Sequence, residues 1–211
     1  MKIKNPNIKL NEILTSNKAS ADFIRENKIK SYAEIGCNYG NTAFLVAQAL
    51  PIGGEMFLFD YPEYITIAKE KLRKIAREKK LKIRFYSNSR RRKDSYCWTL
   101  LELVKRKKKI FDYVYLDGSH DFTIDGLSFF LIDRLLKVGG YIDFDDYNWT
   151  FSKSAVNDPK INPKILEKYT YYQLTTSHVK LIIDFLVRPM KRYKEIKINR
   201  IFQKLCDEPQ N

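Results

Sequence analysis

The chain has 211 residues, 44% of them hydrophobic and 14% aromatic, enough for one α/β domain with a proper core and short for two. No apolar run reaches membrane-spanning length and the start, MKIKNPNIKLNEILTSNK, has no secretory core; Cys37, Cys97 and Cys206 are odd in number, far apart and without metal spacing, which argues against a disulfide framework and predicts reduced thiols in a cytoplasm. The net charge of +14 sits in one segment: residues 69–109 carry 18 Lys and Arg against four acids, while the rest of the chain balances 21 against 21. Such a segment suits an anionic substrate, RNA or a membrane surface, and equally a solvated helix and loop.

Residues 9–28 read as an amphipathic helix or helix pair with Ile8, Leu10, Ile13, Leu14, Phe23 and Ile24 on the apolar face, so residues 1–30 are expected to form a helical cap. Tyr32 to Gly36 is predicted as the first strand, Asn41 to Leu50 as a helix, Met56 to Asp60 as a strand and Ile65 to Lys80 as a helix with a basic outer face. Lys82 to Ser87 alternates polar and apolar side chains, as an edge strand does. The run Arg90 Arg91 Arg92 Lys93 is too charged to bury and is expected to be a surface loop. Cys97 to Lys107 and Thr123 to Lys137 read as helices around a fourth strand, Ile110 to Leu116, and Gly139 Gly140 lead into a fifth, Tyr141 to Asp145. Residues 149–176 form a polar and aromatic insert with a short helix at Pro163 to Tyr169. Val179 to Val187 and Ile196 to Leu205 are rich in β-formers and are expected to pair as an antiparallel hairpin closing the sheet. The whole, residues 1–211, reads as a single α/β domain: a Rossmann-like, doubly wound, seven-stranded sheet, mostly parallel, with a C-terminal antiparallel hairpin.

Chemistry concentrates where strands end, because open α/β sheets bind ligands outside the carboxyl ends of their strands. Gly36 and Gly40 bound a turn that opens a helix, and Asp60, at the end of the next strand, is placed to accept hydrogen bonds from a ribose diol. The spacing Glu34-x-Gly36-x-x-x-Gly40, with Asn38 in the middle, differs from that of dinucleotide enzymes. Glu34 would repel a pyrophosphate and could help hold a cationic ligand, so the turn favours an adenosine-type ligand carrying positive charge. Asp117, Asp145 and Asp146 are hard oxygen donors suited to Mg²⁺, Mn²⁺ or Ca²⁺, although Asp145 and Asp146 alternate in direction on an extended backbone. The imidazole is the side chain suited by type to general-base work near neutral pH, which makes His120 a candidate, but a loop histidine without a role fits the pattern too. Asp143 is odd in a core strand and nothing in the sequence explains it.

These motifs, with Tyr115 Leu116 Asp117 Gly118 Ser119 His120 and Gly139 Gly140 Tyr141 Ile142 Asp143 Phe144 Asp145 Asp146 Tyr147, resemble those of class I S-adenosylmethionine-dependent methyltransferases. The likeness is to a small stand-alone bacterial family related to the macrolide-sugar and catechol O-methyltransferases, and it spans about residues 32–205. It implies S-adenosylmethionine held by Glu34, Gly36, Asn38, Gly40 and Asp60, with Asn88 and Ser89 near the adenine. It also implies a divalent metal, Mg²⁺ by expectation, on Asp117, Asp145 and Asp146, and His120 with Asp117 as the catalytic pair; His120 stands where the catechol enzymes have a lysine. The expected reaction is O-methylation of a hydroxyl on a sugar or other small metabolite, anionic ones included. The aromatic insert is expected to face that substrate, to pack on itself or to form a homo-oligomer contact. An RNA methyltransferase, and a non-catalytic nucleic-acid- or surface-binding domain of the same fold, stand as alternatives.

Overall fold

A computed structural model describes residues 17–91, 94–106, 108–154 and 156–207. Ile8, Leu10, Ile13 and Leu14 of the expected cap lie outside the described residues, as do Arg92 and Lys93 of the basic loop. Residues 17–26 are helical (α1). The chain then alternates β1 (Ser31–Ile35), α2 (Asn41–Ala49), β2 (Glu55–Asp60), α3 (Pro62–Glu78), β3 (Lys82–Ser87), α4 (Tyr96–Lys105), β4 (Phe111–Leu116), α5 (Phe122–Leu135) and β5 (Leu136–Phe144). After the insert come α6 (Tyr171–Thr175), α7 (His178–Ile182), β6 (Tyr193–Lys197) and β7 (Ile201–Lys204). The seven strands lie in the order β3-β2-β1-β4-β5-β7-β6. The first five are parallel and β7 runs antiparallel to both β5 and β6. The expected sheet is therefore the observed one.

Period-two alternation along buried strands divides the core into two layers. Ala33, Ile35, Phe57, Phe59, Val114, Leu116, Ile142 and Phe144 face α4, α5 and α7. Tyr32, Met56, Leu58, Tyr113 and Tyr115 face Ile24 of α1, Ala43 and Val46 of α2, and Ile65 and Leu72 of α3. The end residues Glu34, Asp60, Asp117, Asp143 and Asp145 share the parity of the second layer, so the acids rise on one side of the sheet.

The hairpin differs from the expectation in its parts. Val179 to Val187 is not a strand: His178–Ile182 is α-helical and continues as a π-helical turn, Ile183–Val187. Ser177 caps it by accepting from the Lys180 N–H, and Val179, Ile182, Ile183 and Val187 are buried against the α5 side of the sheet. Burial of a helical stripe outweighs the β-propensity of the run, which is a weak preference. The closing hairpin instead uses Tyr193–Lys197 and Ile201–Lys204, with Asn199 in the left-handed region (φ 59°) at the turn, a conformation asparagine tolerates.

Asp143 also finds its explanation here. Its carboxylate accepts from Arg200 Nε (2.8 Å), Ser20 Oγ (2.7 Å) and the Tyr113 hydroxyl. Ser20 Oγ in turn accepts from Arg200 (2.8 Å). One buried carboxylate thus ties α1, β4, β5 and the start of β7 together. Removing one partner of a buried ion pair strands the other charge, typically at a cost of about 3–5 kcal/mol. Arg200→Ala is therefore expected to lower stability by about that much in urea denaturation; a loss under about 1 kcal/mol would show that Asp143 needs no counter-ion.

Candidate active site

Four parallel strands end at one edge, and their ends open a cleft of about 670 Å³. Gly36 follows β1, Asp60 ends β2, Asn88 follows β3 and Asp117 follows β4; all four line the cleft, with Asn38, Tyr61, Tyr64, Arg90, Tyr96, Ser119 and His120. The Gly36 turn is compact for a steric reason. Gly36 has φ +87°, and a Cβ there would lie 1.9 Å from the carbonyl oxygen of Asp117. Only glycine lets the ends of β1 and β4 come this close. Gly40 begins α2 and packs against Ala68 of α3 instead of lining the cleft.

Asp60 closes the near wall. Its carboxylate accepts from the N–H groups of Asn38 (2.6 Å) and Tyr61 (2.7 Å), which staples the β1 turn to the β2 end. Burial raises its pKa and these two bonds oppose the rise. Asn88 is buried, and its Oδ1 is buried without a hydrogen-bond partner among the described residues, an arrangement that an N–H donor on a ligand would satisfy. Ser89 turns its N–H toward Asp94 Oδ2 (2.7 Å) and does not itself line the cleft.

Glu34 sits below the cleft floor. It is buried and accepts from the Tyr32 hydroxyl (3.0 Å). Burial pushes its pKa up to about 8, with the Tyr32 bond opposing and Asp60 adding to the rise.

At the β4 and β5 ends, Asp117 Oδ1 lies 3.6 Å and Asp146 Oδ2 3.4 Å from His120 Nε2. One donor atom from each of Asp117, His120 and Asp146 falls within 4.8 Å of the others. Asp145 is outside this group: both residues lie past the end of β5, and Asp146, in the left-handed region, is the one that meets His120. Burial, then the carboxylates of Asp145 and Asp146, raise the pKa of Asp117. His120 packs its ring against Trp149 (5.0 Å between centroids), and its Nδ1 is buried without a partner among the described residues. Asn38, His120 and Asp146 all hold positive φ (45°, 55° and 59°), and non-glycine residues in that region concentrate at functional sites.

The insert packs mainly on itself. Phe151, Ile165 and Leu174 form a small core with Trp149 and Tyr169, while Tyr171 and Tyr172 are 67% and 71% exposed. His178 is structural: its Nδ1 accepts from the Phe122 N–H (3.0 Å), leaving Nε2 to donate to the Gln173 carbonyl (2.9 Å). Sequence reasoning missed Tyr96 and Asp125, which brace the loop carrying His120. Neither carries a motif, and only their three-dimensional proximity marks them.

A family model described as a methyltransferase domain matches residues 33–147, more than half of the chain. The chain belongs to that family. Family and fold together make it a class I, S-adenosylmethionine-dependent methyltransferase. No curated protein matches its sequence. Among solved structures it is similar to an O-methyltransferase from Bacillus cereus in complex with SAH, at 16% identity and TM-score 0.61 over 85% of this chain and 71% of that one. It is also similar to a Klebsiella pneumoniae protein (14% identity, TM-score 0.63, 91% and 80% covered) and to an SAH-bound Podospora anserina methyltransferase (16%, 0.54, 89% and 76%). At these identities the likeness is one of fold.

Glu34 supplies a pH test of this methyltransferase. A carboxyl whose folded pKa exceeds its unfolded value favours folding while protonated, so its contribution is intact below about pH 4.5 and is lost as pH rises to about 8. Glu34→Gln, which keeps the shape and cannot ionise, is expected to match the parent in denaturant at pH 5 and to exceed it at pH 9. Equal stability at both values would place Glu34 in contact with water.

Proposed function

We propose that this methyltransferase transfers a methyl group from S-adenosylmethionine to a hydroxyl of a small metabolite, the acceptor entering beside Asp117, His120 and Asp146. The observation that carries the reading is the continuity of one cleft: Gly36, Asn38, Asp60 and Asn88 line one end and Asp117 and His120 the other. The cofactor fits the first end by its chemistry. Asp60 keeps lone pairs for a ribose diol beyond its two main-chain bonds, and the unsatisfied Asn88 Oδ1 suits an amino group. Asp60 and Asp117 line the cleft with carboxyls that burial holds toward their neutral forms, and a sulfonium there would favour their charged forms. S-adenosylmethionine supplies the electrophilic methyl group. The protein aligns it with the hydroxyl, an effect worth roughly 7 to 11 kcal/mol when reacting atoms are well oriented.

O-methylation needs the acceptor proton removed, and the second end of the cleft offers the group for it. His120 Nε2, 3.6 Å from Asp117 and 3.4 Å from Asp146, takes the proton. A divalent cation would be held by the same atoms, Asp117, Asp146 and His120 Nε2, and would supply acidity to a coordinated hydroxyl. With one imidazole and two carboxylates, the set suits Mn²⁺ or Zn²⁺ better than the expected Mg²⁺ on three aspartates, because Mg²⁺ prefers oxygen donors. The exposed basic residues of α3, β3 and the loop at Arg90 and Arg91 favour an anionic acceptor, and an RNA acceptor is the second reading that they support.

Calorimetric titration with S-adenosylmethionine, followed by an acceptor screen with and without Mn²⁺ or Mg²⁺, tests the proposal; absence of cofactor binding would overturn it. Asp60→Ala is expected to weaken cofactor binding by roughly ten- to a hundredfold, the loss of one or two charge-assisted hydrogen bonds, and to lower the thermal midpoint modestly, because the Asn38 and Tyr61 N–H groups lose their acceptor. His120→Ala is expected to leave cofactor affinity within about threefold and to slow transfer by roughly 10² to 10⁴. Full activity in that variant would remove His120 from the chemistry.

A further inference from the structure

The loop Gly118 to His120 carries the proposed proton acceptor in a left-handed conformation that the loop does not hold by itself. Two side chains from different helices meet behind it. Asp125, on the first turn of α5, is 2% exposed and accepts from the His120 N–H (2.8 Å), the Ser119 hydroxyl (3.4 Å) and the Tyr96 hydroxyl. Tyr96, at the start of α4, accepts in turn from the Ser119 N–H (2.9 Å) through the same hydroxyl that it donates to Asp125. Two consecutive loop N–H groups are thus bound to one tyrosine–carboxylate pair. The fit leaves no slack: a Cβ at Gly118 would lie 2.3 Å from the Tyr96 oxygen and 2.8 Å from Asp125 Oδ1.

We propose that Tyr96 and Asp125 form a positioning pair, which seats Ser119 and His120 so that Nε2 of His120 faces Asp117 and Asp146. The inference rests on the proposed role of His120, as base or as ligand, and names the residues that make the role possible. Both act through the loop: the Tyr96 hydroxyl and the Asp125 carboxylate bond to each other and to the Ser119 and His120 main chain. The physical reason for such a pair is the cost of a non-glycine left-handed residue, of the order of 1–3 kcal/mol, which persists only where surrounding bonds over-determine it. Two main-chain hydrogen bonds, one of them to a buried carboxylate, are of the size needed. Dependence on this geometry is steep, since a shift of about 1 Å at a reacting group can reduce a rate a hundredfold.

The chain has two histidines, His120 and His178, so imidazole ¹⁵N NMR at one fixed pH reads the His120 ring directly with His178 as an internal reference. The probes are Tyr96→Phe, which keeps the ring and removes the hydroxyl, and Asp125→Asn, which keeps the shape and removes the charge. Each is expected to move the His120 ring signals, to speed exchange of the Ser119 and His120 amide protons at least tenfold, and to leave the His178 signals in place. S-adenosylhomocysteine affinity of Asp125→Asn, a residue that does not line the cleft, is expected by calorimetry to stay within about threefold. Unmoved His120 signals in both variants would overturn the proposal. So would collapse of both histidine signals together in both variants, because the pair would then be a support for α4 and α5 in general. Failure of the parent protein to bind S-adenosylhomocysteine would instead count against the cofactor reading, while the ring and amide measurements would still decide the positioning role.

Discussion

The contact between the Gly36 turn and the main chain of Asp117 is the constraint on which the cleft depends. β1 and β4 are parallel neighbours at the point where the strand order reverses, and their exits must diverge to leave a crevice. They diverge from a common origin: a side chain at Gly36 would overlap the Asp117 carbonyl oxygen, so the two loops begin in van der Waals contact and splay from there. Asp60 then fastens the first loop to the β2 end through the Asn38 N–H. The cleft is thus a consequence of close main-chain packing, with the cofactor's space left over between loops pinned at their roots.

Gathering acids at one edge has an electrostatic cost that the protein meets in two ways. Far from the cleft, charge is paired: Asp143 with Arg200, and Asp133 with Arg192 (2.9 Å) and the buried Lys204 (3.3 Å), each pair also fixing the C-terminal hairpin. At the cleft, charge is left partly unneutralised. Burial moves Glu34, Asp60 and Asp117 toward their neutral forms, and the groups at hand are main-chain N–H donors, a tyrosine hydroxyl and a histidine. Asp133 and Asp143 have permanent cationic partners, whereas the carboxylates at the cleft are poised for a positively charged ligand or a proton.

The basic edge of the molecule is organised by the same topology. β3 is the edge strand and α3 packs beside it, so the lysines and arginines of α3 and β3 share one flank in space, while Lys109, at the other end of the basic segment, reaches Asp207 beyond β7. Several of the flank's charges are met locally, Arg84 and Lys82 by Glu55 and Arg90 by Glu63, and charged side chains on an edge strand also discourage pairing with another sheet. Arg90 stands over the Tyr61 ring at 4.2 Å and lines the cleft, the point where this flank meets the site.

Much of the fold was legible because its signals are local: strand runs punctuated by glycine, helices with one apolar face, and acids at strand ends follow from covalent geometry and burial, and they gave the sheet and the positions of Asp60, Asn88, Asp117 and His120. The misread run at Val179 to Val187 shows the limit, since β-rich composition is compatible with a helix when a partner surface is available, and that surface is built by α5, far away in sequence. The same limit applies to chemistry. That Asp146 and not Asp145 joins Asp117 and His120, that Asp143 is held by Arg200, and that Tyr96 and Asp125 brace a loop that neither adjoins are outcomes of distances of a few ångströms between residues tens of positions apart. The sequence by itself determined which groups reach the carboxyl edge of the sheet, because side-chain alternation and strand direction are encoded residue by residue; only the tertiary structure decided which of them face one another, because that depends on how the loops between strands pack.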